Sequence, residues 1–321
     1  MTAPARVCKF DGNSSAQDDW LLAVARGLIT CHIGIETILI RYPGSSVMRI
    51  AAVLLVLTSM AVPTDAAEPL KGLLVTGGCC HDYGNQKHVI TEGISQRANI
   101  VWDVVHEGGD ARDYQVSVYK DPNWAMKYDV IVHNECFGAV DNADFIKGIT
   151  QAHYNGVPGV FIHCSLHSYR AAGEGADPWR ELIGVTSRSH EKHRALKVRR
   201  LDVEHPVLIG FPETWNTPNG ELYKIEHVWD NCTPLLVAFG EDTQQDHFVA
   251  WVNKFGKARV FGTSLGHHNE TMNSEEWLGL VSRGVLFVTG KLGDDGKPID
   301  GYAGSGIKPI QSPALEPVPM K

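Results

Sequence analysis

Short apolar runs that alternate with helix-like stretches constrain this chain more than any other feature. Leu70–Thr76, Ile100–Val105, Tyr128–His133 and Val160–Ile162 are strand-length and largely apolar, the pattern of strands covered on both faces. Between them, Gln86–Arg97 places Ile90 and Ile94 on one helical face with Asn85 as the expected cap, and Ala143–Tyr154 reads as a second helix. Strand, helix, strand, strand, helix, strand is the order of a doubly wound α/β sheet. Ligands of such sheets bind outside the carboxyl ends of the strands. Val160-Phe161-Ile162 ends abruptly in His163-Cys164-Ser165, and His167 follows, so candidate chemistry concentrates there.

Beyond residue 185 the texture changes. Ala195–Asp202, Glu221–Ile225, Leu235–Phe239, Phe248–Asn253 and Ala258–Thr263 are short strand-like runs, with Gly256-Lys257 as the turn of the last pair. They predict a β-rich C-terminal half added to the same sheet. Asn273 is the expected cap, with Glu276 three positions on, of a closing helix. Trp277, Leu280, Val281, Gly284, Val285 and Val288 form its stripe, and Gly290 ends it. Residues 293–321, rich in Gly, Pro and Asp, read as a flexible tail.

The chain carries a net charge of −8, all of it beyond residue 67 because residues 1–67 hold five basic and five acidic residues. That balance argues against a nucleic-acid surface, and the densest basic spot, Lys197-Val-Arg-Arg200, reads as a solvated strand face. Met48-Arg49, the apolar Ile50–Val62 and Pro63-Thr-Asp-Ala-Ala67 have the parts of a secretory signal spanning 48–67. Residues 1–47 then read as an upstream mis-assigned extension, and the body as exported to the periplasm or exterior. Membrane attachment is expected only if the leader stays uncleaved. The body keeps Cys79, Cys80, Cys136, Cys164 and Cys232, an odd number that leaves a thiol free in an oxidising compartment. Cys79 and Cys80 are not expected to bridge each other. There is no Cys-x-x-Cys zinc knuckle.

Thr76-Gly-Gly with His81-Asp82, Val160-Phe-Ile-His163, His190, His205-Pro206, Glu221-Leu-Tyr223, Val249-Ala-Trp251 and Leu265-Gly-His267 form an ordered set, closed by Gly284-Val-Leu-Phe-Val-Thr-Gly290. In this the chain resembles the ThuA-like (trehalose utilisation) proteins over about residues 70–292. The resemblance implies a flavodoxin-like, class I glutamine-amidotransferase-like fold and a role in disaccharide or other carbohydrate catabolism.

Three chemistries remain open. In the first, Cys164 is a nucleophile with His268 and Glu270 as base and orienting carboxylate, although Ile162-His-Cys-Ser-Leu166 lacks the glycines of a strained nucleophile turn. In the second, the strand-end histidines act. His81, His163, His190 and His267 would ligate a divalent metal such as zinc, or His163 would serve as acid–base with Asp82 as its carboxylate. His133, His193, Glu135 and Glu270 are further members of that set, from a chain that holds 15 histidines. In the third, the chain binds a small-molecule carbohydrate without turning it over, His167, Trp179, Arg180 and Trp229 lining the cleft.

Overall fold

A computed structural model describes residues 67–307; the proposed extension, most of the leader and the last residues of the expected tail lie outside them. Nine strands form one sheet: β1 (Leu70–Gly78), β2 (Ile100–His106), β3 (Val130–Cys136), β4 (Gly159–Ile162), β6 (Lys197–Arg200), β7 (Thr214–Asn216), β9 (Thr233–Gly240), β10 (Gln245–Phe255) and β11 (Ala258–Thr263). Their order is β2-β1-β3-β4-β11-β10-β9-β6-β7. The first five run parallel, which reproduces the flavodoxin-like arrangement. The remaining strands pair antiparallel and extend the edge, so the C-terminal half belongs to the same sheet as expected. The short antiparallel pair β5 (Val185–His190) and β8 (Tyr223–Val228) stands apart from it.

Alternation along the strands sorts side chains to two faces. Leu74, Val132, Val160 and Ile162 pack with helix α1 (Tyr83–Ser95) and helix α5 (Glu275–Val288). Leu73, Val75, Ile131 and Phe161 pack with helix α2 (Ala143–Tyr154) and helix α3 (Asp177–Ile183). A further one-turn helix, α4 (Asn269–Met272), precedes α5. The predicted stripe of α5 is buried throughout, and each fully covered Leu, Val or Trp there stabilises by about 1.5–3 kcal/mol.

Two caps differ from expectation. Helix α1 starts at Tyr83 because Asp82, not Asn85, accepts from the Asn85 backbone N–H at 3.3 Å. Ser274, rather than Asn273, caps α5 by accepting from Trp277 N at 3.3 Å. Residues 293–307, expected to be loose, are tied back to α1 and β2. Asn99 N donates to Tyr302 O at 3.0 Å, Ser305 N to Ser95 O at 3.1 Å and Gly306 N to Gln96 O at 3.1 Å. Among the described residues, no helix is long and apolar enough to cross a membrane.

Gly77-Gly78 closes β1 with φ of 131° and 98°, values that suit glycine. A Cβ at Gly77 would lie 2.0 Å from the Glu107 carbonyl oxygen. Gly77→Ala is therefore expected to lower stability by about 1–3 kcal/mol from backbone strain alone, and by more once the clash is included. Urea unfolding of the variant checks this.

Candidate functional site

The carboxyl ends of β1, β4 and β11 each deliver one histidine to a common point. His81 lies in the turn after β1, His163 follows β4 directly, and His267 follows β11. A fourth contribution, Glu221, comes from the segment just before β8. Its side chain is only 5% exposed. His163 Nε2 and His267 Nδ1 each lie 3.1 Å from Glu221 Oε2. His163 Nε2 is 3.2 Å from His267 Nδ1, and His81 Nε2 is 3.0 Å from the same atom. These distances bring the three histidines together at one point.

The protons do not suffice for so many close contacts. His163 Nδ1–H donates to Ser264 O at 2.6 Å. His81 Nδ1–H points to Cys79 O at 3.4 Å and lies 3.1 Å from the Tyr83 hydroxyl. Both neutral rings therefore turn a lone pair inward, towards a third imidazole and a carboxylate. Burial, reinforced by the neighbouring His163 and His267, lowers His81 to about 2, and burial also lowers His163 against the pull of Glu221. For Glu221 burial raises the carboxyl, but the contacts with His163 and His267 outweigh it and hold it far below the carboxylate range. A tetrahedral cation with ligand bonds near 2.0–2.1 Å separates its ligands by about 3.3 Å. The spacings at this point are close to that.

Local backbone explains why His163, and not Cys164, occupies the turn. His163 has φ of 44°, the left-handed region where a residue with a Cβ is strained. Its ring is anchored there by Ser264 O on one side and by Glu221 Oε2 and His267 Nδ1 on the other. His167, one turn on, is buried, stacks on Tyr223 with centroids 3.8 Å apart and contacts Ser187 Oγ at 3.0 Å. A cavity of about 340 Å³ opens in front of these groups, with His167, Arg170, His190 and Tyr223 on its wall. His81 and His267 also border a second cavity of about 690 Å³ that reaches Asp82, His268 and Glu270.

Several expected residues stand elsewhere. Asp82 is not the carboxylate of the histidines: its Oδ2 accepts from Asn85 Nδ2 at 2.7 Å and Asn269 Nδ2 at 2.8 Å, tying α1 to the loop of His267. His190 is apart from the other three expected ligands; its Nδ1 faces the opposite oxygen, Glu221 Oε1, at 3.0 Å. Trp179 is fully buried with its Nε1–H on Ser165 O at 2.9 Å, and Arg180 is buried and paired with Asp177 Oδ1 at 2.6 Å. Trp229 is half-buried on Thr186 Oγ1 at 3.2 Å. None of these three lines either cavity, so the cleft wall is not built from them as expected. Large rings are claimed by the core. His133 and Glu135 form a separate buried group with Tyr119 and His153, inside the core of the α2 face.

The cysteine chemistry changes most. Cys164 is bridged to Cys136 and Cys79 to Cys80, against the expectation for adjacent residues, while Cys232 is free. A bonded sulfur is no nucleophile, and Cys164, His268 and Glu270 make no hydrogen bond to one another; His268 Nε2 is buried without a partner. The 28-residue separation of Cys136 and Cys164 makes the bridge worth about 2–4 kcal/mol. Sequence reasoning missed Glu221 as a site residue and named His193 only as a further member of the strand-end set, not as a partner of that carboxylate. The available signal was Glu221-Leu-Tyr223 within the family pattern.

A family model described as ThuA, trehalose utilisation, matches residues 78–288. Among solved structures, a ThuA-like protein from Parabacteroides merdae aligns with a TM-score of 0.58 at 18% identity, covering 72% of this chain and 92% of that one. A ThuA-like protein from Bacteroides uniformis aligns with a TM-score of 0.50 at 16% identity, covering 70% and 94%. At these identities the likeness shows the fold. No curated protein matches the chain.

Two outcomes are expected. Iodoacetamide should label Cys164 only after reduction, read by peptide mass mapping; labelling without reductant overturns the bridge. Burial lowers His81 to about 2 and His167 to about 3, whereas the unfolded rings titrate near 6.5. Unfolding therefore takes up protons below about pH 6.5, and stability falls as pH drops from there towards 3. The urea midpoint of metal-free protein should be lower at pH 5 than at pH 7.5.

Proposed function

The chain belongs to the ThuA family, whose description is trehalose utilisation, and from that premise we propose that its histidine-lined cleft holds a divalent cation such as zinc and acts on a carbohydrate. The observation that carries the reading is the convergence of His81 Nε2, His163 Nε2, His267 Nδ1 and Glu221 Oε2, all within 4.8 Å of one another. Neutral imidazoles and a carboxylate are the donors such a cation takes. The Ser264 carbonyl on His163 Nδ1–H, and Cys79 O and the Tyr83 hydroxyl on His81 Nδ1, supply the outer contacts that fix ring orientation in metal sites.

The cavity of about 340 Å³ lies at the small end of ligand pockets, a size suited to one or two sugar rings. A cation there would polarise a sugar hydroxyl or carbonyl as a Lewis acid, taking its oxygen as a fifth ligand. His167 faces the same space and would exchange a proton with the sugar, and Arg170 would orient its oxygens. The substrate class we favour is a trehalose-like disaccharide or its oxidised form. Export also belongs to this reading; the two disulfides support an oxidising compartment.

Metal analysis of the purified protein, paired with turnover assays on trehalose and oxidised disaccharides, tests it. We expect bound divalent metal and a loss of turnover on the order of 100-fold or more on chelation or in His163→Ala, by the scale of metal-site perturbations. Saturable sugar binding by metal-loaded protein without turnover would sink the enzymatic part and leave a binding protein.

A further inference from the structure

Glu221 has two oxygens, and each of them gathers two imidazoles. Oε2 faces His163 and His267. Oε1 lies 2.9 Å from His193 Nε2 and 3.0 Å from His190 Nδ1. These last two rings come from the end of β5 and the loop after it. Their side chains are 45% exposed, whereas Glu221 is 5% exposed. One nearly buried carboxylate thus sits between an inner pair of rings and an outer pair at the mouth of the cleft.

We infer that the site is dinuclear: Glu221 bridges an inner cation, on His81, His163, His267 and Oε2, to an outer divalent cation on His190, His193 and Oε1. The inference rests on the metal reading above and extends it to a second site.

Donor counts give the two positions different work. The inner position has four protein donors, which complete a tetrahedron; the outer has three, His190, His193 and Glu221. A three-donor site keeps a coordination place open, the mark of a catalytic rather than a structural metal. His190 and Glu221 border the cavity walled by His167, Arg170 and Tyr223, so a cation held there would be within reach of it. With the outer ion open and the inner one able to add a fifth ligand, such a pair would hold adjacent oxygens of one substrate, as in a vicinal diol or an α-hydroxyketone of a sugar ring. His190 Nδ1 also lies 2.9 Å from Glu191 O. Without metal that carbonyl accepts the Nδ1 proton, and loading the outer site would displace it.

Equilibrium dialysis of the full chain against zinc, with elemental analysis, tests the inference. Wild type should bind two equivalents and the double variant His190→Ala/His193→Ala one. Both changed side chains are half exposed, so the fold should tolerate them. Manganese-loaded wild type should show a spin-coupled pair by electron paramagnetic resonance, and the double variant an isolated ion. One equivalent in wild type overturns the outer site and leaves the single-metal reading standing. No metal in wild type overturns both. Two equivalents persisting in the double variant place the second ion elsewhere and reject this assignment.

Discussion

A carboxylate removed from water is the constraint around which this structure is arranged. Burying an ionised group costs several kcal/mol unless other groups answer it, and Glu221 is answered by four rings, from the turns after β4 and β11 and from the end of β5 and its following loop. Glu221 itself precedes β8, the partner of β5. The small two-stranded sheet therefore serves to bring a carboxylate and two imidazoles over the carboxyl edge of the large one.

The edge has its own requirements. His163 reaches the centre only because the chain turns through the left-handed region directly after β4. The Ser264 carbonyl, at the end of the neighbouring β11, fixes the ring once it arrives. The turn after β1 needs Gly77-Gly78, because the Glu107 and Cys136 carbonyls crowd both positions. Asp82 then links the start of α1 to Asn269, beside the His267 loop. Residues that looked chemical in isolation turn out to hold the chemical ones in place.

Cysteine and tryptophan illustrate the same competition. Cys164 occupies the position next to the strained turn, yet its sulfur is consumed by Cys136, which the end of β3 presents from the adjacent strand. Trp179 and Trp251 are fully buried because their large apolar area is worth more in the core than on a cleft wall. The cleft wall is made instead of imidazole, tyrosine and arginine side chains together with the four bridged cysteines.

The parallel core, the attachment of the C-terminal strands to the same sheet, the buried stripe of α5 and the strand-end placement of His81, His163 and His267 were legible in the sequence. Each depends on local periodicity or on the rule that ligands sit at strand ends, and both are written in consecutive residues. Glu221 and His193 were not legible as partners, nor were the disulfides or the role of Asp82. Those depend on which loops meet. Glu221 is 58 positions from His163 and 46 from His267, and nothing local marks one carboxylate among 37 acidic residues as the one the fold buries. Sequence determined which edge of the sheet would carry chemistry; packing decided which side chains meet there, because burial and pairing are properties of segments brought together only by the tertiary fold.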